Sequence, residues 1–150
     1  MKFYTVTPKP YLKLRSIATI IDYGIFFILF YFFVRSFGEE TEDGSWQVTG
    51  SLTLVIPFFW FLYFVVMESI NQATPGHDIC KLKVVKPDGH KISLGDALKR
   101  RICDPIDIFI YGIPAFICIS KTTKHQRLGD LLANTLVVKS TDITETEVIF

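Results

Sequence analysis

Residues Leu14–Arg35 read LRSIATIIDYGIFFILFYFFVR, and this stretch decides the fold. It is long enough to cross a bilayer, because a spanning helix needs ~20 apolar residues. Asp22 is out of place in it, since an aspartate at the centre of a spanning helix costs roughly 2.5 to 3.5 kcal/mol on insertion scales. Arg15 lies two turns earlier on the same helix face, but a separation of about 10 Å along the axis is too long for an ion pair. The sequence therefore predicts that another segment supplies the partner of Asp22.

The 150 residues are 49% hydrophobic, and the apolar residues are concentrated rather than periodic. They form three runs, Ser16–Val34, Leu52–Met67 and Ile102–Ile119. A soluble domain spreads its apolar residues in helical or strand periods, so these runs predict a multi-pass membrane protein, and the length fits a single domain over residues 1–150. The first run exceeds the ~7–15 residues of a signal-peptide core and no small-x-small cleavage site follows, so we expect a retained anchor.

Charge is distributed unevenly around the runs. Basic residues precede the first run and follow the second, while no Lys or Arg occurs between Ser36 and Gly50. That loop instead carries the acids Glu39, Glu40, Glu42 and Asp43. The positive-inside rule then predicts a cytoplasmic N-terminus, a cytoplasmic central loop and an external acidic loop. The basic loop would face the anionic lipid of the bilayer, and nucleic acid is not expected as a partner.

The second half of the chain predicts a small β-element. Lys81–Lys86 is rich in Val and Leu and precedes a Pro-Asp-Gly turn, and Thr135–Lys139 has a similar composition. A lone strand is unstable, so we expect these two to pair on one side of the membrane. Ser93 and Asp96 have the spacing of a capping box at the start of an amphipathic helix. Residues 140–150 are polar and are expected to form a loosely ordered tail.

The third apolar run allows two interpretations. It has about the length of one span, but it contains Asp104, Asp107 and the sequence Gly112-Ile113-Pro114. A full span would place Lys121 and Lys139 outside and separate the two strands, so a re-entrant hairpin turning at Gly112 is favoured. The predicted fold is an all-α multi-pass membrane protein with two to three transmembrane helices, the third either spanning or re-entrant, and a small cytoplasmic β-element.

With these motifs in place, the chain resembles the RDD family of integral membrane proteins, over roughly residues 14–139. The family is named for an arginine and an aspartate in the first helix, matched here by Arg15 and Asp22, and for a second aspartate. The sequence QRLGDLLANTLVV places that aspartate at Asp130, with Asp107 as the competing assignment. Further matches are Glu68 at the end of the second run, Thr74-Pro75-Gly76, the strand LKVV and the pair Arg100-Arg101. His77 departs from the pattern, which usually has Lys or Arg there.

The resemblance implies a mostly bacterial protein of the cell (inner) membrane. It also implies two functions that remain open. One is transport of ions or small ligands, including cation/proton exchange with monovalent cations or protons. The other is a non-catalytic accessory or assembly subunit of a membrane complex. Two spans and a hairpin are too few to enclose a polar pathway, so a transporter would work as a homo-oligomer or with a membrane-protein partner.

Asp22 has two opposed interpretations at this stage. It is either a protonatable or cation-binding carboxylate, with Arg15 and Asp130 shaping the cytoplasmic mouth, or one half of a fixed ion pair with Arg100, Arg101 or Arg127. Arg15 could contact lipid phosphate or Asp130. Asp104 and Asp107 share a helix face, so they could bind a cation or, as we favour, pair with Arg100 or Arg101. The residues predicted to form an ion-binding site or a buried charge network are Arg15, Asp22, Glu68, Arg100, Arg101, Asp104, Asp107, Arg127 and Asp130.

The sequence gives no sign of an enzyme, a metal site or a cofactor. It contains no GxSxG, Walker A, HExxH or GxGxxG motif. The spacing of His77, Asp78 and Cys80 fits no strong zinc pattern. The three cysteines form no CxxC pair, so they are expected to be reduced structural thiols.

Overall fold

Two long apolar helices dominate the computed structural model, which describes residues 2–109 and 112–147. They are α1 (Leu12–Phe37) and α2 (Gly50–Asn71), and both are long and apolar enough to cross a membrane. Only 17% and 11% of their most apolar windows are buried within the protein. The core helix of a soluble protein would instead be mostly buried, so the mostly helical fold with two candidate spans agrees with a membrane protein.

Aromatic side chains hold α1 against α2. Phe26 stacks on Phe59 with ring centroids 5.7 Å apart, and the rings of Tyr23 and Phe64 are 4.8 Å apart. Such ring pairs add to the stability gained by burying their large apolar surface. α2 opens with a 3-10 turn and contains a π-helical turn at Phe61–Val66. These irregular turns flank Pro57, which lacks the amide hydrogen needed by the helical ladder.

A short hairpin joins the two long helices. It consists of β2 (Glu39–Glu40) and β3 (Trp46–Gln47), which pair antiparallel. The guanidinium of Arg35, at the end of α1, lies 4.0 Å from the centroid of the Trp46 ring. This cation–π contact ties the acidic loop to the end of the first helix.

Short elements follow α2. They are α3 (Pro75–Ile79), β4 (Leu82–Val85), α4 (Leu94–Ile102), α5 (Asp104–Phe109), α6 (Ile113–Lys121), α7 (Leu128–Ala133) and β5 (Leu136–Lys139). The predicted capping box at the start of α4 is confirmed, because Ser93 Oγ accepts from the Asp96 amide and the Asp96 carboxylate accepts from the Ser93 amide.

The strands β4 and β5 pair antiparallel, with Val84 opposite Val137. Both valines are buried together with Ala18 of α1 and Ala97 of α4 in one apolar cluster. The strand pair thus joins the first long helix to α4. On which side of the membrane it lies stays a prediction.

The terminal segments differ from expectation. The start of the chain forms β1 (Lys2–Val6), which pairs antiparallel with β6 (Ile143–Glu147). The prediction of a loosely ordered polar tail over residues 140–150 is therefore wrong for Ile143–Glu147; residues 148–150 lie outside the described part. Threonine and isoleucine favour strands through their branched side chains, but the absence of a hydrophobic face hid this strand from sequence analysis.

The third apolar run forms two short helices rather than one long one. α5 has 6 residues and α6 has 9, and Gly112 between them has a positive φ of 74°. Residues 110 and 111 of the connection lie outside the described part. Neither helix approaches the ~20 residues of a span, so a full span by one continuous helix is not formed. Whether the segment re-enters the membrane stays a prediction.

Candidate functional site

Asp22 is held by the segment that follows α2. Its Oδ1 accepts a hydrogen bond from the Gly76 amide at 2.7 Å, and its Oδ2 accepts from the Thr74 hydroxyl at 2.5 Å. Nδ1 of His77 lies 3.1 Å from the same Oδ2. The carboxylate is 1% exposed. Three donors thus replace the water that a buried carboxylate loses.

The local sequence explains this contact. Pro75 occupies the first position of α3, where its missing amide hydrogen costs nothing. The next amide, that of Gly76, has no partner inside the helix and is therefore free to donate to Asp22. A Cβ on Gly76 would overlap the carbonyl oxygen of Ala18 and lie 2.9 Å from Cγ of Asp22, so only glycine lets α3 approach α1 this closely.

The prediction that Asp22 forms an ion pair with Arg100, Arg101 or Arg127 is therefore wrong. Those three arginines bind other carboxylates, and the cation-capable partner of Asp22 among the described residues is His77. The physical reason is helix packing. α3 packs directly on α1, whereas α4 contacts the C-terminal half of α2.

The other eight predicted residues come together in one buried network. Each of them is at most 9% exposed. Four are arginines and four are acids, so the network is electrically balanced. Its members are Arg15, Glu68, Arg100, Arg101, Asp104, Asp107, Arg127 and Asp130.

Asp130 is the best-coordinated acid of the network. It binds Arg15 Nη2 at 2.5 Å, forms a short contact with Arg100 Nη1 and accepts from the Arg127 amide at 3.2 Å. Burial alone would raise the pKa of Asp130, but Arg100, Arg15 and Arg127 hold that pKa well below its usual value. Asp130 therefore stays charged and ties α1 to α4 and α7.

Glu68 makes the corresponding link from α2. Its carboxylate lies 2.8 Å from Arg101 Nη2 and 3.3 Å from Arg100 Nε. α4 and α7 cross closely beside this contact, since a Cβ on Gly129 would lie 2.5 Å from the carbonyl oxygen of Arg100. Both long helices are thus joined to the C-terminal helices through charged groups.

Asp104 completes the paired part of the network. It binds Arg101 at 3.0 Å and Arg127 at 2.8 Å, and the Tyr23 hydroxyl donates to it at 3.0 Å. Sequence analysis expected Asp104 to pair with Arg100 or Arg101, and the structure places it against Arg101. It did not anticipate Tyr23 or Arg127 as partners of Asp104.

Asp107 is different from the other acids. It is 1% exposed, yet neither carboxylate oxygen has a hydrogen-bond partner of normal geometry among the described residues. Its nearest cation is Arg127, with Nε 4.0 Å from Oδ2. This corrects the expected pairing of Asp107 with Arg100 or Arg101. Burial raises the pKa of Asp107 more than Arg127 and the Gly129 amide lower it.

A cavity of about 600 Å³ lies beside Asp107. One end of it is polar and includes Arg15, His77, Asp107 and Arg127. The remaining wall is mostly apolar and is formed by α1 and α6, including Leu12, Ile20, Ile113, Ala115, Phe116 and Ile119. Asp22 is not part of the lining that the described residues form. Asp107 is thus a lining residue at the polar end of the cavity, while both of its carboxylate oxygens are buried.

The described residues contain no cluster of three or more His, Cys, Asp or Glu side chains placed to hold a metal ion. The arrangement instead supports ion pairing, hydrogen bonding and proton uptake at a carboxylate. These are properties of a buried charge network.

The order of these residues along the chain matches a known family. The sequence profile of the RDD family matches residues 10–134, which is most of the chain. The chain belongs to the RDD family. Comparison with curated proteins and with solved structures returned no match. Sequence analysis expected the resemblance to cover roughly residues 14–139 of this RDD protein. The matched region begins slightly earlier and ends before β5.

Sequence analysis missed all three partners of Asp22 in this RDD protein, which are Thr74, Gly76 and His77. A signal for them was present. Thr74-Pro75 is a typical helix start, whose free amides attract a carboxylate, and the resemblance to the family led us to expect a basic residue at position 77. Sequence analysis used Thr74-Pro75-Gly76 only as a match to the family pattern, and it considered His77 only as a departure from that pattern and as a weak zinc ligand.

Proposed function

We propose that this RDD protein is a membrane transport protein that exchanges protons for monovalent cations and works as an oligomer. The observation that carries the proposal is Asp107, a cavity-lining residue whose buried carboxylate has no hydrogen-bond partner of normal geometry among the described residues. A carboxylate whose charged form is poorly stabilised takes up a proton more readily than one held by several donors. Intramembrane or membrane-adjacent acids of this kind mark proton and ion pathways.

This proposal replaces Asp22 with Asp107 as the exchanging group. Asp22 accepts from three donors within the protein, and Asp130 is held by three arginines. Both are therefore better suited to fixing helices than to releasing and binding protons. Arg15 keeps the role of lining the space next to the exchanging acid.

The proposal also includes orientation and assembly. The distribution of basic residues supports a cytoplasmic N-terminus, and the family resemblance supports a bacterial inner membrane. Two spanning helices cannot enclose a polar pathway, so further subunits or a membrane-protein partner must complete it. Monovalent cations and protons are the proposed substrates.

Proton flux in proteoliposomes tests this function. Vesicles carrying a trapped pH-sensitive dye and a pH gradient are given sodium or potassium salt, and we expect the wild type to collapse the gradient. Asp107→Asn removes the proton-binding oxygen with little change in shape, so its rate should fall to that of protein-free vesicles. Glu42→Gln, in the exposed loop, is the matched control and should keep the wild-type rate.

A wild type without flux, or an Asp107→Asn variant with full flux, would contradict exchange. The former outcome would favour the second candidate, a non-catalytic accessory subunit. A specific observation supports that alternative, because the balanced network joins both long helices to α4 and α7 and gives a rigid core for assembly. It predicts that Asp130→Asn disrupts assembly while no flux is found in any variant.

A further inference from the structure

His77 faces two hydrogen-bond acceptors through one side of its ring. Nδ1 lies 3.1 Å from Asp22 Oδ2 and 2.9 Å from Thr74 Oγ1. The single hydroxyl hydrogen of Thr74 goes to Asp22 Oδ2, so the hydroxyl oxygen accepts from Nδ1. The ionised carboxylate of Asp22 also accepts. Nδ1 therefore carries the hydrogen of the neutral ring, and Nε2 keeps a free lone pair.

Nε2 lies on the other side of the ring, away from Asp22 and Thr74. His77 lines the cavity of about 600 Å³ between α1 and α6. In the part of the chain that the structure describes, Nε2 makes no hydrogen bond, and the side-chain polar atoms that are both unpaired and fully buried belong to five other residues. Nε2 therefore keeps accessible surface, unlike the carboxylate oxygens of Asp107.

The surroundings of His77 can compensate a positive charge on its ring. Asp22 of α1 is in direct contact and Glu68 of α2 acts at longer range, and both favour the protonated ring, whereas Arg101 of α4 opposes it. Burial opposes it more strongly and lowers the pKa of His77. The ring is thus neutral at neutral pH and takes up a proton in more acidic solution. The other charged groups that line this cavity are Arg15, Asp107 and Arg127.

Proton exchange through the cavity needs a titratable atom that the cavity water can reach. Both carboxylate oxygens of Asp107 are buried. The two arginines of the lining stay protonated, and the hydroxyls of Ser16 and Thr19 do not change charge near neutral pH. Histidine is the side chain whose unperturbed pKa lies between about pH 5 and 8. Among the described lining residues, His77 can therefore take a proton from the cavity and return it.

We propose that His77 is the proton-binding residue of this cavity, with Nε2 as the atom that takes up the proton. In uptake, the Nε2 lone pair accepts a proton from hydronium in the cavity and leaves water, while the Nδ1 hydrogen stays on Asp22 and Thr74. Release is the reverse step. The role of His77 in exchange rests on the proposed function, whereas proton binding itself is measured without flux.

Acylation by diethyl pyrocarbonate tests proton binding at Nε2. The reagent attacks unprotonated imidazole nitrogen, so the full chain in detergent is treated between about pH 5 and 8, and modification of His77 is followed by mass spectrometry. We expect modification of the folded protein with a half-maximal rate below about pH 6.5. Asp22→Asn removes the contacting charge and should lower this midpoint by about 1 pH unit. Asp78→Asn, at an exposed neighbouring acid, is the matched control and should leave it unchanged.

Three results would overturn the proton site: no modification of His77, a rate independent of pH, or equal midpoint shifts in the two variants. If Asp22→Asn fails to fold, Ser16→Trp replaces it. Ser16 is exposed on α1 and lines the cavity, so a large side chain there should slow the modification of His77 by blocking the cavity. An unchanged rate in Ser16→Trp would also overturn the proposal.

The proteoliposome assay tests the role of His77 in exchange. His77→Arg keeps a cationic donor for Asp22 but cannot release its proton. We expect this variant to fold and its flux to fall about 100-fold, the lower end of what a positioned proton-transfer group contributes. Full flux in His77→Arg would show a structural role alone and overturn this part. A wild type without flux would instead reject the exchange function, and the modification of His77 would still decide the proton site.

Discussion

At the scale of single residues, Asp22 illustrates how a membrane helix tolerates an acid without a permanent cation. Its donors are a hydroxyl, a backbone amide and a histidine ring. The amide belongs to the first turn of α3, where helix amides carry a partial positive charge. Asp22 therefore acts as an external cap for α3 and fixes α3 against α1.

This role predicts that Gly76→Ala destabilises the protein. The added Cβ would overlap the Ala18 carbonyl and press on Asp22, and overpacking of this kind costs about 1–3 kcal/mol. Thermal unfolding in detergent should show a clearly lower Tm. Gly95→Ala is the matched control, because a Cβ there lies 3.7 Å from the nearest atom, Ser93 Oγ. Equal melting temperatures for the two variants would contradict the close contact of α3 with α1.

His77 predicts a pH dependence of stability. It faces Asp22 and Thr74, with Glu68 and Arg101 at longer range. Burial lowers the pKa of His77 in the folded protein, and the Asp22 hydrogen bond offsets only part of this. Below about pH 6.5 the unfolded chain therefore binds a proton that the folded chain does not, and the free energy of unfolding falls as pH falls, by at most about 1.4 kcal/mol per pH unit.

The measurement is Tm in detergent between pH 7.5 and pH 5.5. The wild type should lose stability over this interval, and His77→Gln should have a flatter profile, although its stability at pH 7.5 is lower. A slope unchanged in His77→Gln would show that other groups cause the pH dependence.

At the scale of elements, sequence analysis succeeded where the signal is local. The apolar run defined α1, the Ser93–Asp96 spacing defined the start of α4, and strand composition located β4 and β5. Sequence analysis could not predict which arginine pairs with which distant acid, because any arginine can pair with any carboxylate as far as the sequence shows. Asp22 received His77 rather than an arginine, and only the packing of α3 on α1 decides this.

At the scale of the whole molecule, the charged groups lie at the two ends of the apolar helices α1 and α2. The balanced network lies where the N-terminal part of α1, the C-terminal part of α2 and the short helices meet. The acidic hairpin lies at the other ends of α1 and α2. Because α1 and α2 are antiparallel by connection through this hairpin, we expect two spanning helices to place the network and the hairpin on opposite sides of the membrane.

This arrangement predicts a labelling pattern. In a background with Cys80, Cys103 and Cys118 replaced by alanine, Lys139→Cys on β5 should react with a membrane-impermeant maleimide only after the inner membrane is opened. Glu42→Cys in the hairpin is the matched control and should react in spheroplasts without opening. β5 follows α6, so the result depends on whether the third apolar run returns to its side of origin. Labelling of Lys139→Cys in intact spheroplasts would mean that this run crosses the membrane. Such a crossing would place β5 and β4 on opposite sides, and the antiparallel pairing of Leu82 with Lys139 does not allow this separation.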